Sequence, residues 1–203
     1  MAPKIVDKEA KKIEILHAAI RVFSEKGAAK TKMIDIAIAA KIGKGTIYEY
    51  FRSKEEVFAG TFTLFYQGME SMLLECVHST DDPEEQLCNL VNVSLVEMLE
   101  HGGEFINIMM DFWAESVRTK NEEIRSIINL KKIYDEFRAL VVGILDAGIA
   151  KGVFRPIDSH VMASFFIGAL DGLMLQEIMD PGIIDMKKAA GTICDCFING
   201  IKK

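Results

Sequence analysis

Thr31-Lys32-Met33-Ile34-Asp35-Ile36-Ala37-Ile38-Ala39-Ala40-Lys41-Ile42-Gly43-Lys44-Gly45-Thr46-Ile47-Tyr48-Glu49-Tyr50-Phe51-Arg52-Ser53-Lys54 reads as two short helices around a glycine-containing turn. Ile36, Ala37 and Ala40 give the first helix one apolar edge; Ile47 and Phe51, four apart, give the second its own. Both edges face a common core. With Ile47 and Phe51 turned inward, Lys44, Thr46, Tyr48, Glu49 and Tyr50 are left on or near the outer surface of a helix that can enter a major groove. Cations, a hydroxyl and phenols suit phosphates and base edges, so the stretch reads as a helix-turn-helix for DNA.

Charge along the chain agrees. The 203 residues carry a formal charge of −6, which looks wrong for a DNA binder. Residues 1–58, however, hold 12 Lys+Arg against 8 Asp+Glu, net +4, and the remaining 145 hold 12 against 22, net −10. A basic head on an acidic body suits a nucleic-acid module joined to a part that stays off the duplex.

Working outward, glycine and proline punctuation falls at helix-length intervals and no useful strand-like alternation appears, so the expected fold is all-α with about nine helices. The first runs from about Asp7, its N-cap, to Lys26, with an apolar stripe of Ile13, Leu16, Ile20 and Phe23 and Gly27 as the terminating residue. Thr31 caps the second helix, Gly43 precedes the reading helix, and Ser53 caps a fourth that continues to about His78 with no flexible spacer. Asp82-Pro83-Glu84-Glu85 opens a helix to Glu100, closed by Gly102-Gly103. Helices are then expected over Glu104–Arg118, Asn121–Lys151, Asp158–Asp180 and Asp185 to about Gly200.

Other classes find little support. No apolar run reaches the roughly 18 residues of a membrane span, Val161–Leu175 being interrupted by Asp171, and the N-terminus lacks a secretory core, so a cytoplasmic protein is expected. Cys76, Cys88, Cys194 and Cys196 are then expected as buried thiols. The scattered His17, His78, His101 and His160 make no metal-ligand spacing, and only Cys76 with His78 approaches a pair, so neither metal nor cofactor is expected. No nucleophile stands beside a base and no loop cradles phosphate, so an enzyme is not expected; the remaining rival is a helical adaptor without DNA binding, favoured only by Glu49, Lys41 and the acidic total.

Within Ala18–Phe58, the segments Phe23-Ser24-Glu25-Lys26-Gly27, Asp35-Ile36-Ala37 and Lys44-Gly45-Thr46-Ile47-Tyr48-Glu49-Tyr50-Phe51-Arg52-Ser53-Lys54-Glu55-Glu56 resemble the tetracycline-repressor (TetR) family of bacterial transcriptional regulators. Further on, Ala169-Leu170-Asp171-Gly172-Leu173 is similar to a stretch in that family's eighth helix. Two positions depart from the pattern: Lys41 stands where the turn glycine is common, and would be strained at positive φ, and Gly43 replaces a capping Ser. The resemblance implies a DNA-binding domain over 1–53 and a helical ligand-binding and dimerisation domain over 54–203. It implies DNA contacts from Thr31, Lys32, Lys44, Gly45, Thr46, Tyr48, Tyr50 and Lys54.

Nine of eleven methionines lie beyond residue 58 among aromatics, a composition that can line an adaptable apolar pocket; the candidates are Phe65, Met69, Phe105, Met109, Trp113, Phe137 and Phe166. Asp111, Glu115 and Asp171 fall in apolar helical stretches, where a carboxylate is either exposed or paired. The last two helices carry Phe165, Leu173, Ile193 and Phe197 for a four-helix contact with a two-fold mate. The expected function is a homodimeric, sequence-specific regulator, a repressor released from a palindromic operator by a small apolar ligand.

Overall fold

The computed structural model describes residues 7–100, 102, 106, 108, 111 and 129–203. Among them are α1 (Lys8–Lys26), α2 (Met33–Ala39), α3 (Lys44–Tyr50), α4 (Lys54–His78), α5 (Pro83–Asn92), α6 (Leu130–Ala150), α7 (Ser159–Met179) and α8 (Met186–Ile201). The only extended pairing among the described residues is an isolated bridge between Phe154 and Lys202, so the fold is all-α as expected. The helix expected over Glu104–Arg118 falls almost wholly outside the described residues, as does the start of the one expected from Asn121.

Local chemistry sets most helix starts. The carboxylates of Asp7, Asp82, Asp158 and Asp185 each accept a backbone N–H from the first turn of α1, α5, α7 and α8, and the Ser53 hydroxyl accepts from Glu56 at 3.1 Å. The start of α2 departs from expectation. Its N-cap residue is Lys32, whose N–H is taken by the Asp35 carboxylate at 2.9 Å; Thr31 is buried and its hydroxyl donates instead to the Gly27 carbonyl at 2.8 Å.

The expected single helix from Pro83 to Glu100 is interrupted. Val93–Glu97 form a π turn in which the Met98 N–H reaches back to the Val93 carbonyl, and the Asn92 amide bonds the Glu97 carboxylate at 3.2 Å. Gly102, expected to end this run, is itself helical.

Two helix ends close with the same pair of hydrogen bonds. At α6, Gly152 N–H donates to Ile149 O and Val153 N–H to Gly148 O, with Gly152 at φ 72°. At α2, Lys41 N–H donates to Ile38 O and Ile42 N–H to Ala37 O, with Lys41 at φ 55°, the one positive φ outside glycine among the described residues. Both are Schellman endings, which place the residue after the cap in the left-handed region. Gly148 also permits close packing: a Cβ there would lie 2.1 Å from the ring of buried Phe154.

The chain divides into two compact units, residues 1–68 with 104–129 and residues 69–103 with 130–203. In the first, α1, α2 and α3 pack on one another around Ile15, Ala19, Phe23, Ile36, Ala37 and Ile47, all fully buried, and Phe23 meets the Phe58 ring edge-on at 5.2 Å. The apolar stripe of α1 is therefore rotated from expectation. Ile13 is 43% exposed, and Ile15, Ala18, Ala19 and Val22 line the core beside Leu16 and Phe23, because three partners need a wider apolar face than one stripe supplies.

The second unit packs α6 against α7 and α5, and α8 against α5 and the π turn, around Leu87, Leu90, Leu95, Leu145, Phe154, Phe166 and Ile201. Cys88 and Cys194 are bonded across α5 and α8 with Cα atoms 5.3 Å apart, Cys76 is half-buried and Cys196 is exposed, which corrects the expectation of four buried thiols. The run Val161–Leu175 is interrupted by Asp171 as expected, yet one helix among the described residues is long and apolar enough to cross a membrane by length and composition alone. Helix α7 has 21 residues, and a window of 18 within it has a mean hydropathy of 1.4.

Left-handed Lys41 generates a stability prediction. Lys41→Gly removes a backbone strain of about 1 kcal/mol at some expense in unfolded-chain entropy, so its urea midpoint should equal or exceed that of the parent. Lys41→Val places a β-branched residue at the same φ and should lose about 1–2 kcal/mol. Equal midpoints for the two variants would contradict the turn geometry.

Candidate DNA-binding face

A helix of seven residues has no orientation of its own; packing supplies it. Ile47 is fully buried and Phe51, just past the end of α3, is 6% exposed, which fixes the rotation of the helix about its axis. Gly43 caps it with extended backbone and no side-chain acceptor. What remains on the outside is Lys44, Gly45, Tyr48 and Glu49, with Thr46 and Tyr50 half-buried at the margins. Tyr48 is 48% exposed.

The electrostatics follow from the neighbouring turns. Lys30, Lys32, Lys41 and Lys44 are all exposed around this face; Lys30 was not among the expected contacts, and Lys41 was expected only as a turn residue. Asp35 is not part of the face's charge in the same sense. Hydrogen bonds from the Lys26 ammonium at 3.0 Å and from the Lys32 N–H hold its carboxyl below the usual carboxylate range, so it stays ionised and ties the end of α1 to the start of α2. Two exposed apolar side chains, Ile34 at 38% and Ile38 at 68%, lie one turn apart on α2, where the amphipathic pattern gave no sign of them.

Two of the residues assigned to DNA contact are engaged inside the protein. Thr31 is 2% exposed with its hydroxyl on Gly27 O, and the Lys54 ammonium donates to Ala28 O at 2.8 Å and Ala29 O at 3.4 Å. The Asp111 carboxylate, exposed as one of the two expected alternatives, accepts the Ala28 N–H at 3.2 Å. Between them these side chains satisfy the backbone of the 27–29 loop that leads into α2.

Of the residues assigned to a ligand, three belong to the core of the second unit. Phe166 is 1% exposed and meets Phe197 edge-on at 4.9 Å, and Met69 and Phe137 are partly buried against the same core. Phe65 is half-buried on α4 in the other unit, and Phe105, Met109, Trp113 and Glu115 lie outside the described residues. Asp171 is paired: the Tyr134 hydroxyl donates to its Oδ2 at 2.9 Å. Burial raises the carboxyl of Asp171 against the opposing hydrogen bond, and burial together with the nearby carboxylate raises the Tyr134 phenol. The sequence shows Asp171 in an apolar stretch but nothing that picks out Tyr134, 37 residues away, as its partner.

Of the residues assigned to a dimer contact, Phe165 is 65% exposed and stacks at 6.4 Å on Phe197, which is itself buried at 7% within the monomer. Leu173 and Ile193 are half-buried. Val161 at 65% and Met179 at 75% extend the exposed apolar side of α7, with Ile183 at 58% just beyond its end.

Residues 15–61 match the model of the bacterial regulatory proteins of the tetR family, and residues 83–201 match that of the C-terminal part of the BetI-type transcriptional repressor. The uncharacterized HTH-type transcriptional regulator YfiR of Bacillus subtilis (strain 168) is 30% identical over 181 residues, covering 86% of this chain and 84% of that protein. The HTH-type transcriptional repressor KstR2 of Mycobacterium tuberculosis (strain ATCC 25618 / H37Rv) is 32% identical over 143 residues, 70% of this chain and 68% of that one. The solved structure of the fatty acid degradation regulator FadR from Bacillus halodurans superposes with a TM-score of 0.75 at 25% identity, covering 94% of this chain and 95% of that one. With both a matched helix-turn-helix and a matched regulatory half, the chain belongs to the TetR family of DNA-binding bacterial transcriptional regulators.

Proposed function

We propose that the protein is a homodimeric repressor that holds a palindromic operator through α3 and leaves it when a small apolar ligand binds the larger helical domain. The observation that carries the DNA half is the face of α3 opposite the anchoring Ile47, where Lys44, Gly45 and Tyr48 are exposed and Thr46 and Tyr50 lie half-buried at its margins. The ammonium groups of Lys44 and Lys32 attract phosphate in a salt-dependent way, Gly45 lets the backbone come close, and hydroxyls reach base edges. Thr31 and Lys54 act by holding the 27–29 loop rather than by touching DNA. On this reading residues 1–53 form the reading head and 54–203 the regulatory and dimerising body, in a cytoplasmic protein.

The exposed apolar side of α7 supports dimerisation, since Val161, Phe165 and Met179 lie on one face of a helix whose other side is buried in the core. Two copies related by a two-fold axis would present two α3 helices to successive turns of DNA, which makes the operator palindromic. For the ligand, the methionine- and phenylalanine-rich body and the resemblance to a fatty acid degradation regulator favour a fatty-acyl compound. Its action is a difference in affinity between the DNA-bound and released forms.

Gel retardation on the DNA upstream of the chain's own gene tests the first half. A sequence-preferring complex is expected, weakened about tenfold by Thr46→Ala or Tyr48→Ala, while Lys44→Ala should lower the slope of log affinity against log salt by about one. No preference over random duplex, with all three variants silent, overturns it. Addition of long-chain fatty-acyl compounds should dissociate that complex; full retention across the series removes this ligand class.

Dimerisation is tested on α7. Phe165→Glu puts a charge on the exposed apolar side, at the loss of the ring stacked on Phe197, and should convert a dimer into a monomer in sedimentation velocity. A parent protein that sediments as a monomer refutes the two-fold arrangement.

A further inference from the structure

At about 100° of rotation per residue, Gly45 and Glu49 lie about 160° and 200° around α3 from the inward Ile47. They are the outermost strip of the helix, and both are exposed. A Cβ added at Gly45 would meet nothing within 4 Å, so this end of the strip is bare backbone against open space. The other end is a carboxylate. Glu49 makes no side-chain hydrogen bond or ion pair with any described residue, unlike two other acids of this head, Asp35 and Glu56, which are engaged with Lys26 and the Arg52 N–H.

A negative charge at the apex of a face surrounded by Lys32, Lys41 and Lys44 works against phosphate binding, and no described residue uses it. In a major groove, however, the groups at the floor are base edges, not phosphates. A carboxylate only accepts hydrogen bonds, and the exocyclic amino group of cytosine is the donor it suits, whereas guanine and thymine present acceptors that it repels. Resting on the proposed operator binding, we propose that Glu49 is a specificity-determining residue that reads a cytosine once in each half-site and rejects duplex lacking it. The same carboxylate keeps the basic head from holding non-specific DNA tightly.

Selection of bound duplexes from a random library by the full-length protein, followed by titration of the enriched site, tests this on an operator of any sequence. The parent should enrich a two-fold motif with one C·G pair per half-site whose replacement costs about tenfold in affinity. Glu49→Ala should leave the rest of the motif intact, flatten that position and bind random duplex several-fold more tightly. Glu49→Gln, whose amide both donates and accepts, should move the preference there toward A·T. Both variants should keep the parent's urea midpoint, because the side chain has no described partner to lose. If the parent enriches a motif and both variants enrich it unchanged, the role of Glu49 is overturned while operator binding stands. If the parent enriches none, the operator reading itself falls.

Discussion

The burial of Ile47 is the constraint on which the DNA-binding face depends. Helix α3 has seven residues, too few to be stable alone, so its existence and its rotation both come from the contacts it makes with α1 and α2. Once Ile47 is set into the core beside Phe23, Ile36 and Ala37, each other residue of α3 has its direction assigned by the 3.6-residue period: Lys44 and Tyr48 to one flank, Thr46 and Tyr50 to the other, Gly45 and Glu49 outermost. Replacing Ile47 would remove a well-buried side chain and release the orientation of every one of them together.

That anchoring needs α2 to stop at a definite residue, and the Schellman ending at Lys41 makes it stop there. The second unit builds the same ending with glycine at 152, where the left-handed backbone carries no Cβ. At 41 the chain tolerates lysine in that conformation, and the side chain it thereby gains is an exposed cation between the two helices of the motif. A modest backbone strain in the turn and an extra exposed charge beside the candidate DNA-binding face thus come from one residue.

Features governed by close neighbours along the chain were legible from residue order alone: Asp7 and Ser53 cap the helices they were expected to cap, and the helices expected to open at Asp82, Asp158 and Asp185 are capped by those residues, because a cap is satisfied within one turn. The inward pair Ile47 and Phe51 was legible for the same reason. Thr31 and Lys54 were not, since what decides their role is the set of carbonyls at Gly27, Ala28 and Ala29, and Lys54 reaches the last two from 26 and 25 residues along the chain. The rotated face of α1, the π turn at Val93–Glu97, the Cys88–Cys194 bond and the Tyr134–Asp171 pair share that origin: each is set by which helices meet, and spacing along one helix carries no record of it. Phe105, Met109 and Trp113, three of the seven residues expected in the pocket, lie outside the described residues.

A helix apolar on all sides needs two apolar surroundings, because a single core covers only one face. The first is the core of the second unit, which takes Ala163, Phe166, Ile167, Leu170 and Met174, and which the Tyr134 hydroxyl makes tolerable for Asp171 by occupying one of its carboxylate oxygens. The second would have to receive Val161, Phe165 and Met179, all at least 65% exposed in the single chain. Lipid could supply such a surrounding in principle, since α7 is long and apolar enough, but the helix also carries polar Gln176 on its exposed side and Asp171 in its middle, and its buried side is shaped to protein neighbours. In the proposed dimer a two-fold copy of the same face would meet these requirements better: phenylalanine and valine would find apolar partners, and Gly168 and Gly172 would allow close approach of backbones.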